Sequence, residues 1–366
     1  MQATFSSAPA TLVESITTLP SLAILFFIAL SPLFTNKIGY RKTALLGLGT
    51  SFVAGVLPFF ASNIWMVLIC RLFFGAGIGL LNPMAASISS YFYKGNERAQ
   101  MLGLSGTMSN LASALLTMLA GLLLTISWRT SFLSYFVLLL IFLLVWAVLP
   151  EMDLHDGKKH DSFWSQFKKL NKRIYVFFGY YFVIQLMLEG MIIKYSSLVT
   201  SKGMGSAAKA TFIMSFMSIA GMIVGIVFAP VFKVLNNALL PILIVVMSAG
   251  LFGLSMTNSF VWSGIFLITV TAPFTFAPAF LFYQIAEVAP KPMVNFCNST
   301  ILIFCNISVF LTPYIFGSIA TITKNSSPSS AMFVAGVIGL VMLVVVLIIM
   351  KIAPVAPTNS LNDNNE

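Results

Sequence analysis

The chain has 366 residues, 58% of them hydrophobic and 8% charged, with a mean hydropathy of +0.97 and a formal net charge of +10. A soluble domain carries about 25% charged residues, so this composition excludes a water-soluble globule. The surplus cations have no soluble basic surface behind them, so a nucleic-acid partner is not expected; such cations collect in loops on one side of a bilayer.

The apolar runs are long enough to span lipid, where only helices or closed barrels satisfy every backbone group. They lack the alternation of barrel strands. The fold class predicted is therefore an all-α polytopic membrane protein. The N-terminal stretch "MQATFSSAPATLVESITTLP", residues 1–20, leads into the first run, 17–36; it has no Lys or Arg and so lacks the leading cationic region of a signal peptide. After this run comes the cationic stretch "PLFTNKIGYRKTALLG", with Lys37, Arg41 and Lys42. Helices are then expected over 43–61, 64–88, 101–126 and 130–149. In the third of the chain's runs, Arg71, Gly75, Gly79 and Asn82 share one face at about 100° per residue.

Residues 150–173 form a longer connector carrying Lys158, Lys159, Lys168, Lys169, Lys172 and Arg173. Beyond it, helices are expected over 174–198, 207–233, 238–256, 260–285, 294–320 and 330–352. Tyr181, Gln185 and Glu189 recur every fourth residue, a polar stripe on an apolar helix. The segment 294–320 carries Asn295, Asn298, Ser299 and Asn306. Cys70, Cys297 and Cys305 fall inside apolar runs and read as packing residues, not a disulfide framework. The predicted organisation is an N-terminal bundle (1–149, five helices), a cytoplasmic linker (150–173), a C-terminal bundle (174–353, six helices) and a disordered cytoplasmic tail (354–366).

With the N-terminus outside, the outer ends hold Arg129, Lys194, Lys202, Lys209 and Lys324. Apart from Arg71, every other Lys and Arg falls inside. That bias predicts an outer N-terminus and a cytoplasmic C-terminus in a cell membrane.

Four stretches carry a resemblance. "PLFTNKIGYRK" resembles a signature loop written G-x-L-A-D-R-x-G-R-K, with Gly39 on its second glycine and Lys37 and Arg41 on basic positions. "RLFFGAGIGL" resembles R-x-x-x-G, with Arg71, Gly75 and Gly79. "NERAQMLGL" (Glu97, Arg98, Gly103) resembles an E-R-x-x-x-x-G turn, and "SWRTSF" (Trp128, Arg129, Phe132) a W-R-x-x-F helix opening, with "LPE" at 149–151 as its exit. In this order they resemble the major facilitator superfamily, in particular its bacterial proton-coupled efflux members. The match covers roughly residues 15–151; the second half matches in helix number and orientation.

The resemblance implies a two-bundle fold of twelve helices, of which the first here corresponds to family helix 2. Family helix 1 is then lacking, and the expectation is either a cut or misassigned start or a genuine eleven-helix protein. Asn36 stands where the loop usually has Asp, and Pro32 where it has its first Gly. Asn36 can cap the following turn but cannot form the ion pair that latches family halves together. The conformational loop is assigned to Asn36, Lys37, Gly39 and Arg41, and helix packing to Gly75 and Gly79, where a neighbouring backbone can approach closely.

Ionisable groups inside a bilayer are functional candidates by default. Arg71 reads either as a cavity residue, as the resemblance implies, or as a snorkelling cation. Glu189 suits reversible proton binding; otherwise it is an interfacial acid paired with Lys194. A contact between Arg71 and Glu189 follows from their similar depth. Asn82 lies on the Arg71 face. Gln185, Asn110 (with Ser109 and Ser113), Asn295 and Asn306 can bond a substrate or hold helices together. Phe274, Phe276, Phe282 and Tyr283 can stack on a flat ligand, though packing is the default.

"HDGKKHD" reads as a solvated linker, and no metal site is expected. No G-x-x-x-x-G-K-[ST] phosphate loop or catalytic arrangement is present, so neither a cofactor nor enzymatic activity is expected. The expected partners are the bilayer, a small-molecule substrate and a coupling ion, most simply the proton, acting on a monomer. The function implied is alternating-access export of small apolar or weakly basic compounds. Helix "GTMSNLASALLTMLAG" lacks the Gly-Pro motif of the drug-antiporter branch. Uptake of a small neutral or anionic nutrient, with Arg71 as the anion's partner, is the alternative; a truncated, non-transporting membrane protein is the third.

Overall fold

A computed structural model describes residues 8–92, 95–151, 167–168, 170–235, 238–289 and 293–352. Most of the 150–173 linker, including "HDGKKHD", and the tail from 354 lie outside the described residues. The described residues form eleven α-helices: α1 (Ala10–Ile38), α2 (Tyr40–Val56), α3 (Ile64–Phe92), α4 (Gly95–Leu124), α5 (Val137–Val148), α6 (Lys172–Ser201), α7 (Ala207–Leu235), α8 (Leu239–Met256), α9 (Phe260–Val288), α10 (Val294–Thr323) and α11 (Pro328–Ile352). Short 3₁₀ turns at Leu57–Phe60 and Thr130–Phe136 extend α2 and lead into α5. The protein is an all-α membrane protein, with nine helices among the described residues long and apolar enough to cross a bilayer.

Three boundaries differ from expectation. Helix α1 begins at Ala10 and so includes Glu14, because "TLVESI" is helical despite its acid. The "NERAQ" segment is the first turn and a half of α4, not a turn between helices. And the cationic stretch is scarcely a loop: one residue, Gly39, separates α1 from α2. Gly39 has φ 85° and ψ 161°, a region open essentially to glycine alone. Its N–H bonds Thr35 O, ending α1, and its C=O accepts from Thr43 N as α2 begins.

Lipid gives helices no hydrophobic reason to associate, so close packing of small residues decides contacts. In α3, the glycines at 75 and 79 lie against α1: a Cβ at Gly75 would stand 2.2 Å from Pro20 O, and one at Gly79 2.8 Å from Phe27 Cβ. Gly77, about 200° further round the helix, presses the other way, on Gly47 and Ser51 of α2. Ser31 Oγ adds a hydrogen bond to Leu80 O at 2.9 Å. Helix α3 is thus clasped between α1 and α2.

The second group of helices encloses a larger core, built around Phe178, Tyr180, Met187, Met191, Tyr195 and Phe280. By contrast α5 has no buried residue, and Leu140, Leu144 and Val148 face outward. An outward apolar surface is what a bilayer requires. Between the two groups, α1 packs on α10 and α4 on α7. Ser218 Oγ of α7 donates to Ser113 Oγ of α4 at 3.0 Å.

A candidate substrate and proton pathway

The polar stripe of α6 faces α10. Ser308 Oγ of α10 donates to Phe182 O, a 2.7 Å link between the two helices. Just below it, Cys305 Sγ donates to Gln185 Oε1 at 3.4 Å, and Gln185 is buried. Tyr181, also buried, stacks its ring on Phe274 of α9 with centroids 6.3 Å apart and planes 18° apart. One turn beyond Gln185, Glu189 is partly buried and makes no hydrogen bond or ion pair among the described residues. The stripe therefore combines an amide, a phenol, a thiol and an unpaired carboxylate on one wall.

Arg71 is placed differently from expectation. Its Nη1 donates to Tyr135 Oη at 3.0 Å, and its guanidinium lies over the rings of Phe132 (4.7 Å), Tyr135 (5.3 Å) and Phe74 (5.4 Å). The residue is 6% exposed, and its Nε is buried without a partner. A desolvated cation is stabilised by the negative faces of aromatic rings, which explains this cage. All its partners come from its own half, so the expected contact with Glu189 is not made.

Lys194 is not the partner of Glu189 either. Its ammonium donates to Glu14 Oε1, joining α6 to α1 across the two halves. Glu14 is 8% exposed, and its second oxygen, Oε2, is buried with no hydrogen bond.

The remaining candidates are scattered. Asn82 is exposed and Asn110 partly buried, and neither is hydrogen-bonded among the described residues. Asn306 Nδ2 bonds Leu302 O of its own helix at 2.9 Å. Asn295 lies in the first turn of α10, its side chain outside the described set. In the conformational loop, Asn36 and Lys37 are exposed in the last turn of α1. No side chain caps α2, so the capping role expected of Asn36 is not found; Gly39 holds that position. Arg41 Nη2 donates to Trp146 O at 2.6 Å, where the C-terminal carbonyls of α5 lack helical partners.

Glu14, Tyr135 and Cys305 are the residues sequence reasoning missed. Glu14 sits before the apolar run, where hydropathy alone does not extend the helix. Tyr135 follows Phe132 at helical spacing, a signal that was available. Cys305 has no signal beyond its neighbour Asn306.

The family model described as Major Facilitator Superfamily matches residues 1–313. The chain belongs to the major facilitator superfamily. Among solved structures, this superfamily member resembles the nucleoside transporter NupG, crystallised as a point mutant, with a TM-score of 0.76 and 11% identity over 96% of this chain and 93% of that one. It also resembles the D-xylose-proton symporter, with a TM-score of 0.75 and 13% identity over 94% and 88% of the two chains. No curated protein matches it. At these identities the likeness is one of fold.

Proposed function

We propose that this superfamily member is a secondary active transporter working by alternating access, in which Glu189 carries the coupling proton and small apolar or weakly basic compounds are exported. The observation that carries the reading is the unpaired Glu189 carboxylate beside the Gln185–Cys305 contact, where α6 meets α10. A partly buried acid with no counter-charge exchanges a proton without first breaking an ion pair. Arg71, already engaged by Tyr135 and three ring faces, is poorly free to hold an anion. The two bundles, 1–149 and 174–353, would rock about this wall, joined by the 150–173 linker. Topology follows the cation bias: N-terminus outside, C-terminus and 354–366 tail cytoplasmic, one chain in a cell membrane.

A second reading, inward carriage of a small neutral polar compound with a proton, is favoured by the names of the two similar structures, one a nucleoside transporter and one a sugar–proton symporter. Proteoliposomes with an imposed pH gradient separate the two. Proton-driven movement of a lipophilic cation such as ethidium supports export. Movement of radiolabelled xylose or uridine, with none of ethidium, replaces it with the second reading. In either case Glu189→Gln should abolish proton-driven flux while sparing substrate exchange at equal pH. Equal loss of both would remove the proton role from Glu189, and no flux of any substrate would leave a non-transporting membrane protein.

A further inference from the structure

At the end of the bundle where α1 begins and α6 finishes, a cavity of about 610 Å³ opens between α1, α6 and α10. Its lining is unlike the rest of the molecule. Among the described residues no Leu, Ile, Val, Phe or Met borders it, in a chain with 34 Phe and 58% hydrophobic residues. Of its twelve lining residues, eight bear a hydroxyl or belong to the Glu14–Lys194 pair.

The hydrogen bonds already made there determine what remains on offer. Thr200 Oγ1 donates to Ser196 O and Ser197 O, Ser201 Oγ to Leu198 O, and Thr321 Oγ1 to Gly317 O. With their hydrogens spent on their own helices, these oxygens present lone pairs. Lys194 is a charged donor. Its ammonium has three hydrogens, one of them held by Glu14, and its side chain is 17% exposed. The hydroxyls of Thr11, Ser197 and Ser326 make no hydrogen bond among the described residues and are free to donate. The wall therefore shows both acceptors and donors, and its two charges balance within the pair.

We propose that this cavity is a binding site for a small neutral compound bearing several hydroxyl groups. Each ligand hydroxyl can donate to the oxygens of Thr200, Ser201 or Thr321 and accept from Lys194. A carboxylate would set its charge beside the Glu14 carboxylate, and an amine its charge beside the Lys194 ammonium, so either ion meets its like in the wall. The site does not rest on the transport reading: it lies nearer the bundle end than Glu189 and needs no proton movement.

The test is saturation-transfer NMR with xylitol on the full chain in nanodiscs, with n-butylammonium and butyrate as comparison probes. Wild type should transfer saturation to xylitol and little to either ion. Ser197→Phe, which fills the cavity and leaves the ion pair intact, should reduce the xylitol signal at least tenfold at an unchanged unfolding temperature. Thr321→Val, which removes one acceptor, should reduce it by a few-fold. Glu189→Gln should keep the signal in full even where flux is lost, so the two readings fail separately. No xylitol signal in wild type, or an equal signal in Ser197→Phe, overturns the proposal and leaves a water-filled vestibule only. A stronger signal from either ion overturns the ligand class.

Discussion

At the scale of single residues, the Arg71 cage shows how an apolar chain accommodates a buried cation. Three rings supply negative faces and one phenol supplies an acceptor. Tyr135→Phe keeps the ring and removes the acceptor. A buried donor left unmet costs about 1–3 kcal/mol, so the unfolding temperature in detergent should fall. Tyr135→Ala should lower it further, because a ring face and its packing go as well. An unchanged temperature in Tyr135→Phe would mean that the cation–π contacts alone hold Arg71. The same scale explains what the sequence conceals. The Tyr181–Gln185–Glu189 stripe is readable because a four-residue spacing puts side chains on one helix face. The Arg71–Tyr135 and Glu14–Lys194 contacts are not, since they join residues 64 and 180 positions apart and depend on which helices become neighbours.

At the scale of elements, glycine placement governs how closely helices meet. Gly75→Ala would set a Cβ 2.2 Å from the backbone oxygen of Pro20, which cannot rotate away. Overpacking of this kind destabilises by about 1–3 kcal/mol. Gly49→Ala is the control, because its nearest neighbour, Phe142 Cε2, would stand at an ordinary 3.6 Å. Thermal unfolding of the pair should show a loss only at Gly75. Gly39→Ala should also destabilise, by about 1–3 kcal/mol, through backbone strain instead of a clash. Gly39→Asn should not rescue it, since the φ and ψ here lie outside the left-handed region that Asn tolerates. A rescue by Asn would show that α1 and α2 can meet through a different turn. The eleven helices and the glycine face of α3 are legible in the sequence, because period and length encode them. The one-residue joint at Gly39 is not, because charge there suggests a loop where the backbone needs none.

At the scale of the whole molecule, two helix pairings between halves, α1 on α10 and α4 on α7, and the Glu14–Lys194 bridge of α1 to α6 define the captured arrangement. A Cβ built on Gly317 would stand 3.7 Å from Thr11 Cβ, within the range a disulfide spans. Thr11→Cys with Gly317→Cys, in a background with Cys305→Ser, should cross-link on mild oxidation. Flux should then stop and return on reduction. Persistent flux in the cross-linked protein would show that α1 and α10 do not part during transport. The fold's larger buried core sits in the second half, so heat should open the first half earlier; hydrogen exchange should be faster in α3 than in α6. Equal rates would mean that the two halves unfold as one.

The joint at Gly39 also has a mechanical meaning. Arg41 ties the start of α2 to the end of α5, so a motion that carried α1 together with α3 would take this joint as its fulcrum and α1 as its arm. Glu14 rides near the arm's tip, roughly 37 Å away at about 1.5 Å per residue. A swing of roughly 10° about the fulcrum carries that carboxylate through about 6 Å, more than enough to part it from Lys194. Leverage of that kind would convert a small angular change at one face of the membrane into the making or breaking of a single ionic contact at the other.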